Sequence, residues 1–482
     1  MTAERLRELP ILFYQKSMSR PNLSFFKKFI SGEAHLAFWD VVSKGVGLVN
    51  TFFIITALSV YQYGIFILLI SIYALFSNFL SLGIGVVNND ILRFIGEGRE
   101  DKAKKLFFEY NGIRIVASLL IAAFLFFTPE VLSFWYTSDA IIFVRLLASL
   151  LLLEFVYSVF KSILGYRLRF GLMASRASLY KFAQLAILVF FFLTHKLGVR
   201  EVIYSMIFGS IVSTFILIVP VFKSYSRWWN VPLFKENIIF WVFKNHGKWE
   251  IFQQFTAKLT AFVQPWIIKT FINTEAVAVF SIAQTMASTI VGFYPIKTLS
   301  ILIPLKIGEP EQMKKIYTYA AKYLFLFAVV IGIGAAIAGP VAIHLFFPKY
   351  IPSLPYFFVL LLYLPINALG SATSIFLVVL RRQKDLFFQK VLKAITAIPM
   401  FFLVMFFGLW GVAASQIIFA FVLSWTAYIF LQRVSPDFRL NWYNFYRFGE
   451  EDKVFIKKFW FETLLFLKNF IWFTNKFGRH QQ

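Results

Sequence analysis

The chain has 482 residues, 59% of them hydrophobic and 20% aromatic, with a mean hydropathy of +0.72. Its formal net charge is +24 and it contains no cysteine. These values exclude a soluble globular domain, a disulfide framework and a thiolate metal site. The basic excess is the one expected of lysine- and arginine-rich loops on one side of a membrane, with contact to anionic headgroups as a second contribution, so nucleic acid is not a required partner.

Runs of about 20 apolar residues recur from end to end, continuous rather than alternating. The expected fold class is therefore an all-α polytopic membrane protein and not a β-barrel. Residues 1–35 are basic and mixed, with Arg5, Arg7, Lys16, Arg20, Lys27 and Lys28. ILFYQ and FFKKFI in that stretch are too short to span and are expected to lie along the membrane face, and no cleavable signal peptide is expected. Spans follow at 36–59, 62–89, 107–128, 140–160, 174–195, 199–222, 247–271, 275–303, 318–346, 353–379, 385–407 and 409–432, about twelve in all.

The connections sort by charge. One set carries Arg93, Arg99, Lys102, Lys104 and Lys105; Lys161, Arg167, Arg169 and Arg176; Lys223, Arg227, Lys235, Lys244 and Lys248; Lys306, Lys314 and Lys315; and Arg381, Arg382 and Lys384. The alternate set, YQYG, TPEVLSFWYTSDA, HKLGVRE, INTEA, FFPKYIPS and FGLWG, is short and nearly free of positive charge. The expected topology is multi-pass in a cell (inner) membrane with both termini cytoplasmic. The outer loops are too short to house an active site.

The chain repeats itself. Residues 34–66, AHLAFWDVVSKGVGLVNTFFIITALSVYQYGIF, align without a gap on 248–280, KWEIFQQFTAKLTAFVQPWIIKTFINTEAVAVF. Lys44 falls on Lys258 (258 − 44 = 214), Asn50 on Gln264, Thr56 on Thr270 and Gly64 on Ala278. LGVREVIYSMIFGSIVSTFI lies likewise on WGVAASQIIFAFVLSWTAYI, with Gly198 on Gly411 (411 − 198 = 213). Six crossings return the chain to its starting side, so two six-helix lobes at 36–222 and 247–432 share one orientation. Residues 223–246 form a basic, aromatic interfacial linker, and 433–482 a cytoplasmic tail. In that tail Lys453, Lys457, Lys458, Glu462, Lys468 and Asn469 face away from Phe455, Phe459, Phe466 and Phe470 on an amphipathic helix.

Charges inside spans are expensive and mark candidate sites. Arg145, Lys297, Lys322, Lys390 and Lys393 lie near predicted ends, where snorkelling accounts for them. Lys269 lies near the outer end of its span. Lys258 lies roughly 15 Å in by helical rise, and Lys44 and Arg114 roughly 10–12 Å. Lys44 has Asp40 four residues before it, and that pair would neutralise itself; Lys258 has Gln254 in the aspartate's place. Glu154, among leucines, is either an ion-coupling carboxylate or the partner of Arg114. Five scattered histidines make no metal spacing, and no nucleotide or nucleophile motif occurs, so no metal, cofactor or catalytic residue is expected.

Tyr63-Gly64-Ile65-Phe66, Leu82-Gly83-Ile84-Gly85, RFIGEGREDKAKKL, LFFPKYIPSLPYF and Gly408-Leu409-Trp410-Gly411-Val412-Ala413-Ala414 together resemble the polysaccharide and lipid-linked oligosaccharide flippase family. This family lies in the superfamily that includes the lipid II flippase and the MATE drug antiporters. The resemblance covers residues 30–432. It implies a MATE-like fold of two lobes around a cationic cavity, alternating access, and an isoprenyl-pyrophosphate-linked glycan as cargo. It also implies membrane lipids, and a polysaccharide polymerase or glycosyltransferases, as partners. Lys44 and Lys258 are the positions that would carry the cationic feature. Gln264-Pro265 stands where relatives have an acidic-basic pair, and the two extra helices of the lipid II flippase are not expected. The alternatives are a cation-coupled multidrug-type antiporter and, from another class, a membrane-embedded glycan assembly protein or glycosyltransferase.

Overall fold

The computed structural model describes residues 23–81, 83–132, 138–167, 169–244, 248–294, 296, 310–380, 382–434, 438–440 and 449. The amphipathic tail helix and Lys297 lie outside them. Every regular element among the described residues is helical.

In the first half α1 (Leu23–Ala57), α2 (Val60–Phe79), α3 (Ile84–Gly96), α4 (Glu100–Phe127), α5 (Ser138–Tyr166), α6 (Phe170–Leu193), α7 (Val199–Phe215) and α8 (Ile218–Tyr225) follow in order. The short helix α9 (Ile239–Val242) lies in the linker. The second half has α10 (Lys248–Phe271), α11 (Thr274–Val291), α12 (Pro310–Phe346), α13 (Leu354–Val379), α14 (Gln383–Ile395) and α15 (Ala397–Val434). Helix α1 runs unbroken for 35 residues. FFKKFI is thus helical and continuous with the helix that carries the first candidate span, Trp39–Ala57. At 1.5 Å per residue α1 is roughly 50 Å long, more than the ~30 Å of hydrocarbon.

Nine helices among the described residues are long and apolar enough to cross a bilayer, or ten if the bent pair Val199–Phe215 and Ile218–Trp228 is one span. The sequence predicts about twelve, and two features account for the difference. Lys384–Val434 is one apolar stretch by length and composition, but it reverses at Gly408 (φ 56°, ψ −135°). A Cβ on Gly411 would run into the Leu403 carbonyl, which shows how closely the two limbs fold back. Helix α10, whose sequence includes Lys248, Glu250, Lys258 and Lys269, is not among the nine.

Packing repeats with the sequence. In the first half α1 packs on α6, α6 on α7, α5 on α4 and α7, and α2 on α5. In the second, α10 packs on α14, α14 on α15, α13 on α12 and α15, and α11 on α13. Local geometry repeats as well. Ser59 caps α2 by accepting from the Gln62 N–H at 3.2 Å, and Asn273 caps α11 by accepting from the Ala276 N–H at 2.7 Å; these caps are 214 residues apart (273 − 59). His195 (φ 54°) and Gly408 (φ 56°) end corresponding helices with positive φ, 213 residues apart (408 − 195). Ser59→Ala and Asn273→Ala should each lower stability by about 1 kcal/mol, read as similar small falls in the thermal midpoint in detergent.

The end bearing the linker, called the linker end, has its own core in each half. In the first half Trp228, Phe107 and Tyr166 pack together there. Glu109 on α4 accepts from the Ile238 and Ile239 N–H groups at 3.0 and 2.9 Å, and Lys104 donates to the Val231 carbonyl at 2.7 Å, pinning the linker. A third core, nearer the opposite or hairpin end, is shared by both halves. There α2 lies against α10 and α11.

Candidate functional site

Each half holds a knot of side-chain amides inside its helices. In the first half it is built on the α1–α6 seam. The two helices run parallel, so Ser178 donates to the Trp39 carbonyl at 3.0 Å and, further along both, Asn50 meets Lys181 and Gln184. Asn50 Nδ2 donates to the Lys181 carbonyl at 3.0 Å and to Gln184 Oε1 at 3.1 Å. Lys181 Nζ approaches the same Gln184 oxygen at 3.4 Å. Asn50 is buried, and its Oδ1 has no hydrogen-bond partner. Burying such an acceptor costs free energy, so the position is open to a donor. Gly47 faces the Lys181 stem: a Cβ there would sit 3.8 Å from Lys181 Cε, an ordinary contact.

The second half holds Gln264 on α10, Gln284 on α11 and Gln416 on α15. Gln264 Nε2 donates to Gln284 Oε1 at 3.1 Å, and Gln416 Nε2 donates to Gln264 Oε1 at 2.8 Å. Asn50 and Gln264 are the pair that the repeat aligns (264 − 50 = 214). The same position therefore anchors an amide network in each half, with a lysine added in the first. Amides and an ammonium offer donors to hydroxyl and phosphate oxygens, and acceptors to hydroxyls.

The charged positions that the sequence singles out are dispersed. Lys44 is exposed, one turn before Gly47 on α1, and pairs with Asp40 at 3.1 Å as the i,i+4 spacing allows. The backbone of Lys258 lies within α10. Arg114 is buried; it donates to the Leu80 carbonyl, to Asn111 Oδ1 at 3.0 Å and to the Ser158 hydroxyl, and sits over the rings of Tyr110 and Phe155. Those bonds tie the third, second and fourth spans together. Lys269 lies in the last turn of α10. Arg145 pairs with Glu130 at the surface (3.1 Å). Lys322 is fully buried rather than snorkelling, and Lys390 and Lys393 are half-buried.

Glu154 takes Arg176, not Arg114, as its partner. Its Oε1 lies 2.5 Å from Arg176 Nη2 and accepts from the Ser210 hydroxyl at 3.1 Å. Arg176 stacks over Tyr157, 3.6 Å from its centroid. The charge rule places Arg176 in a basic connection; the fold buries it six residues inside α6, between α5 and α7. At the corresponding position of the second half (389 − 176 = 213) Gln389 donates to the Leu423 carbonyl at 2.8 Å. Lys181 is the other residue that sequence reasoning passes over. Its signal is plain in retrospect: a lysine eleven residues into an apolar helix. Among the described residues no group of three or more histidines or carboxylates could hold a metal ion.

Three solved structures are similar in fold. The lipid II flippase MurJ in an inward closed conformation has a TM-score of 0.68 at 15% identity, covering 85% of this chain and 88% of that one. A multidrug resistance MATE family transporter in an inward-facing conformation gives 0.66 at 15% identity, over 82% of this chain and 95% of that one. A Vibrio cholerae MATE transporter variant gives 0.58 at 14% identity, over 86% and 99%. No match is found among curated proteins. The model of the family described as polysaccharide biosynthesis protein matches residues 33–306, more than half of the 482. The chain belongs to the polysaccharide biosynthesis protein family, on a fold shared with MATE transporters and a lipid II flippase.

Proposed function

We propose that the chain is a flippase that turns an isoprenyl-pyrophosphate-linked oligosaccharide from the cytoplasmic to the outer leaflet by alternating access, for assembly of a cell-surface glycan. Family membership on a two-lobed transporter fold carries this reading. Sugars and a pyrophosphate cannot cross hydrocarbon unaided, because burying charge and unpaired hydroxyls costs too much. The two amide knots, with Lys181 and Lys44 nearby, supply the donors that would offset that cost while the prenyl tail stays in lipid. Lys258 is assigned the same role from its place opposite Lys44 in the repeat. The lobes are taken as 36–222 and 247–432, with 223–246 as the linker. The basic linker end is taken as cytoplasmic, in an inner membrane. A polysaccharide polymerase or the glycosyltransferases that build the cargo are the natural neighbours.

A cation-coupled drug antiporter is the second reading, and the fold is compatible with it. It needs a carboxylate to spare. Asp40 and Glu154, the two that the sequence offers, are occupied by Lys44 and Arg176. A surplus of buried cations also repels cationic drugs.

Reconstitution with a fluorescent prenyl-pyrophosphate glycan tests the reading. The chain should move it between leaflets. Lys44→Ala combined with Lys258→Ala should slow transfer at least about tenfold, as loss of charge-assisted hydrogen bonds implies. Transfer at the parent rate would remove both lysines from the site, and no transfer by the parent chain would reject the flippase.

A further inference from the structure

The seam between the halves at the hairpin end is hooked by one side chain. Lys349 stands in the 3-10 turn Pro348–Ser353, which joins α12 to α13. Its Nζ donates across the seam to two main-chain carbonyls of the first half, Thr56 O at 3.0 Å and Leu58 O at 2.5 Å. These carbonyls lie at the C-terminal end of α1 and in the turn after it. The last carbonyls of a helix lack partners within it and carry the negative end of its dipole, so an ammonium is well matched to them.

Aromatic rings flank the hook. Phe52 lies 5.9 Å from Phe346 and 5.7 Å from Phe347 by centroid, and Tyr63 meets Tyr350 edge-on at 5.9 Å. The closed seam is not fully satisfied. Tyr350, whose ring meets Tyr63 across the seam, is buried completely, and its hydroxyl has no hydrogen-bond partner. Water would satisfy it if the seam parted. Closing thus gains charged hydrogen bonds and rings in contact, and opening relieves an orphaned hydroxyl. These terms are of the same order, which is what a two-state element requires.

We propose that Lys349 is a reversible latch on the outer face, engaged when that face is shut and released when the lobes part to discharge cargo. The proposal rests on the alternating-access reading and on the hairpin end facing outward. A main-chain acceptor makes the latch depend on the position of α1 and not on any side chain there. Movement of α1, which also carries Asn50 and Lys44, would therefore couple the polar knot of the first half to the latch.

The chain has no cysteine of its own, so a spin-label pair can be placed cleanly. Lys196→Cys and Phe407→Cys put labels on exposed positions of the corresponding hairpins of the two halves. Distances are measured by pulsed electron resonance in lipid nanodiscs, without cargo. The parent should show a dominant short distance. Lys349→Ala should raise the ratio of long to short distances at least about tenfold, and Lys349→Arg, which keeps a cationic donor, should preserve the parent distribution. If Lys349→Ala does not give monodisperse protein, Lys349→Gln replaces it with the same expectation in direction. An alanine or glutamine variant with the parent distribution overturns the latch. Because no cargo is present, the distances stand whether or not the glycan-transfer assay succeeds.

Discussion

Arg176→Ala should destabilise the chain by about 3–5 kcal/mol, the usual cost of stranding one member of a buried ion pair. Arg176 and Glu154 have side chains only 9% and 22% exposed, and they join α5 to α6 with Ser210 of α7 as a third member. Removing the guanidinium leaves the half-buried carboxylate with the Ser210 hydroxyl as its hydrogen-bond donor, and it also strips the cation from the faces of Tyr157 and Tyr180. With an unfolding entropy of about 2.1 cal/mol/K per residue, a chain of this length turns that loss into a midpoint fall of roughly 3–5 °C. Thermal unfolding in detergent measures it. Glu154→Met with Arg176→Met should recover most of the loss, since an apolar pair of similar volume has no charge to strand. A double variant no better than Arg176→Ala would show that the defect is lost packing and not the uncompensated charge.

That pair marks where the sequence stops being legible. Composition, run length and the sorting of loop charges lead to a helical membrane protein, and the two aligned stretches lead to the internal repeat. The caps Ser59 and Asn273 and the turns at His195 and Gly408 then fall at the same offsets. Those features depend on local spacing, which one chain displays. Partner choice does not. Glu154 has an arginine one span back and another one span ahead, Arg114 and Arg176, and nothing in the spacing selects between them. The fold does, because Arg114 points to the Leu80 carbonyl and Ser158. Arg176 is hidden for a related reason. The loop rule counts a cation by its distance from the nearest apolar run, and α6 begins at Phe170, before the run does. Lys349 shows the same limit: FFPKYIPS displays a single lysine in an uncharged loop, but its target is a backbone carbonyl nearly three hundred residues away.

Gly64→Val should have the largest effect on the arrangement of the two halves. Gly64 is buried in the second span, and a Cβ there would collide with the Thr274 carbonyl oxygen and lie 2.9 Å from Thr274 Cγ2. The obstacle is backbone at the start of α11, fixed by the Asn273 cap, so it cannot swing aside as a side chain would. Without a hydrophobic force to press helices together in lipid, such close backbone contact is what holds a seam, and only a small residue permits it. Valine must therefore part α2 from α11. The expected result is a loss of the short distance between Lys196→Cys and Phe407→Cys labels and a loss of glycan transfer, with much of the helical content retained. Gly112→Ala is the control: nothing lies within 4 Å of its Cβ, and alanine is the better helix former by about 1 kcal/mol. It should leave distances and transfer at parent values. If Gly64→Val also does so, the α2–α11 contact is not what closes the hairpin end, and the burden of closure passes to Lys349 and the rings beside it.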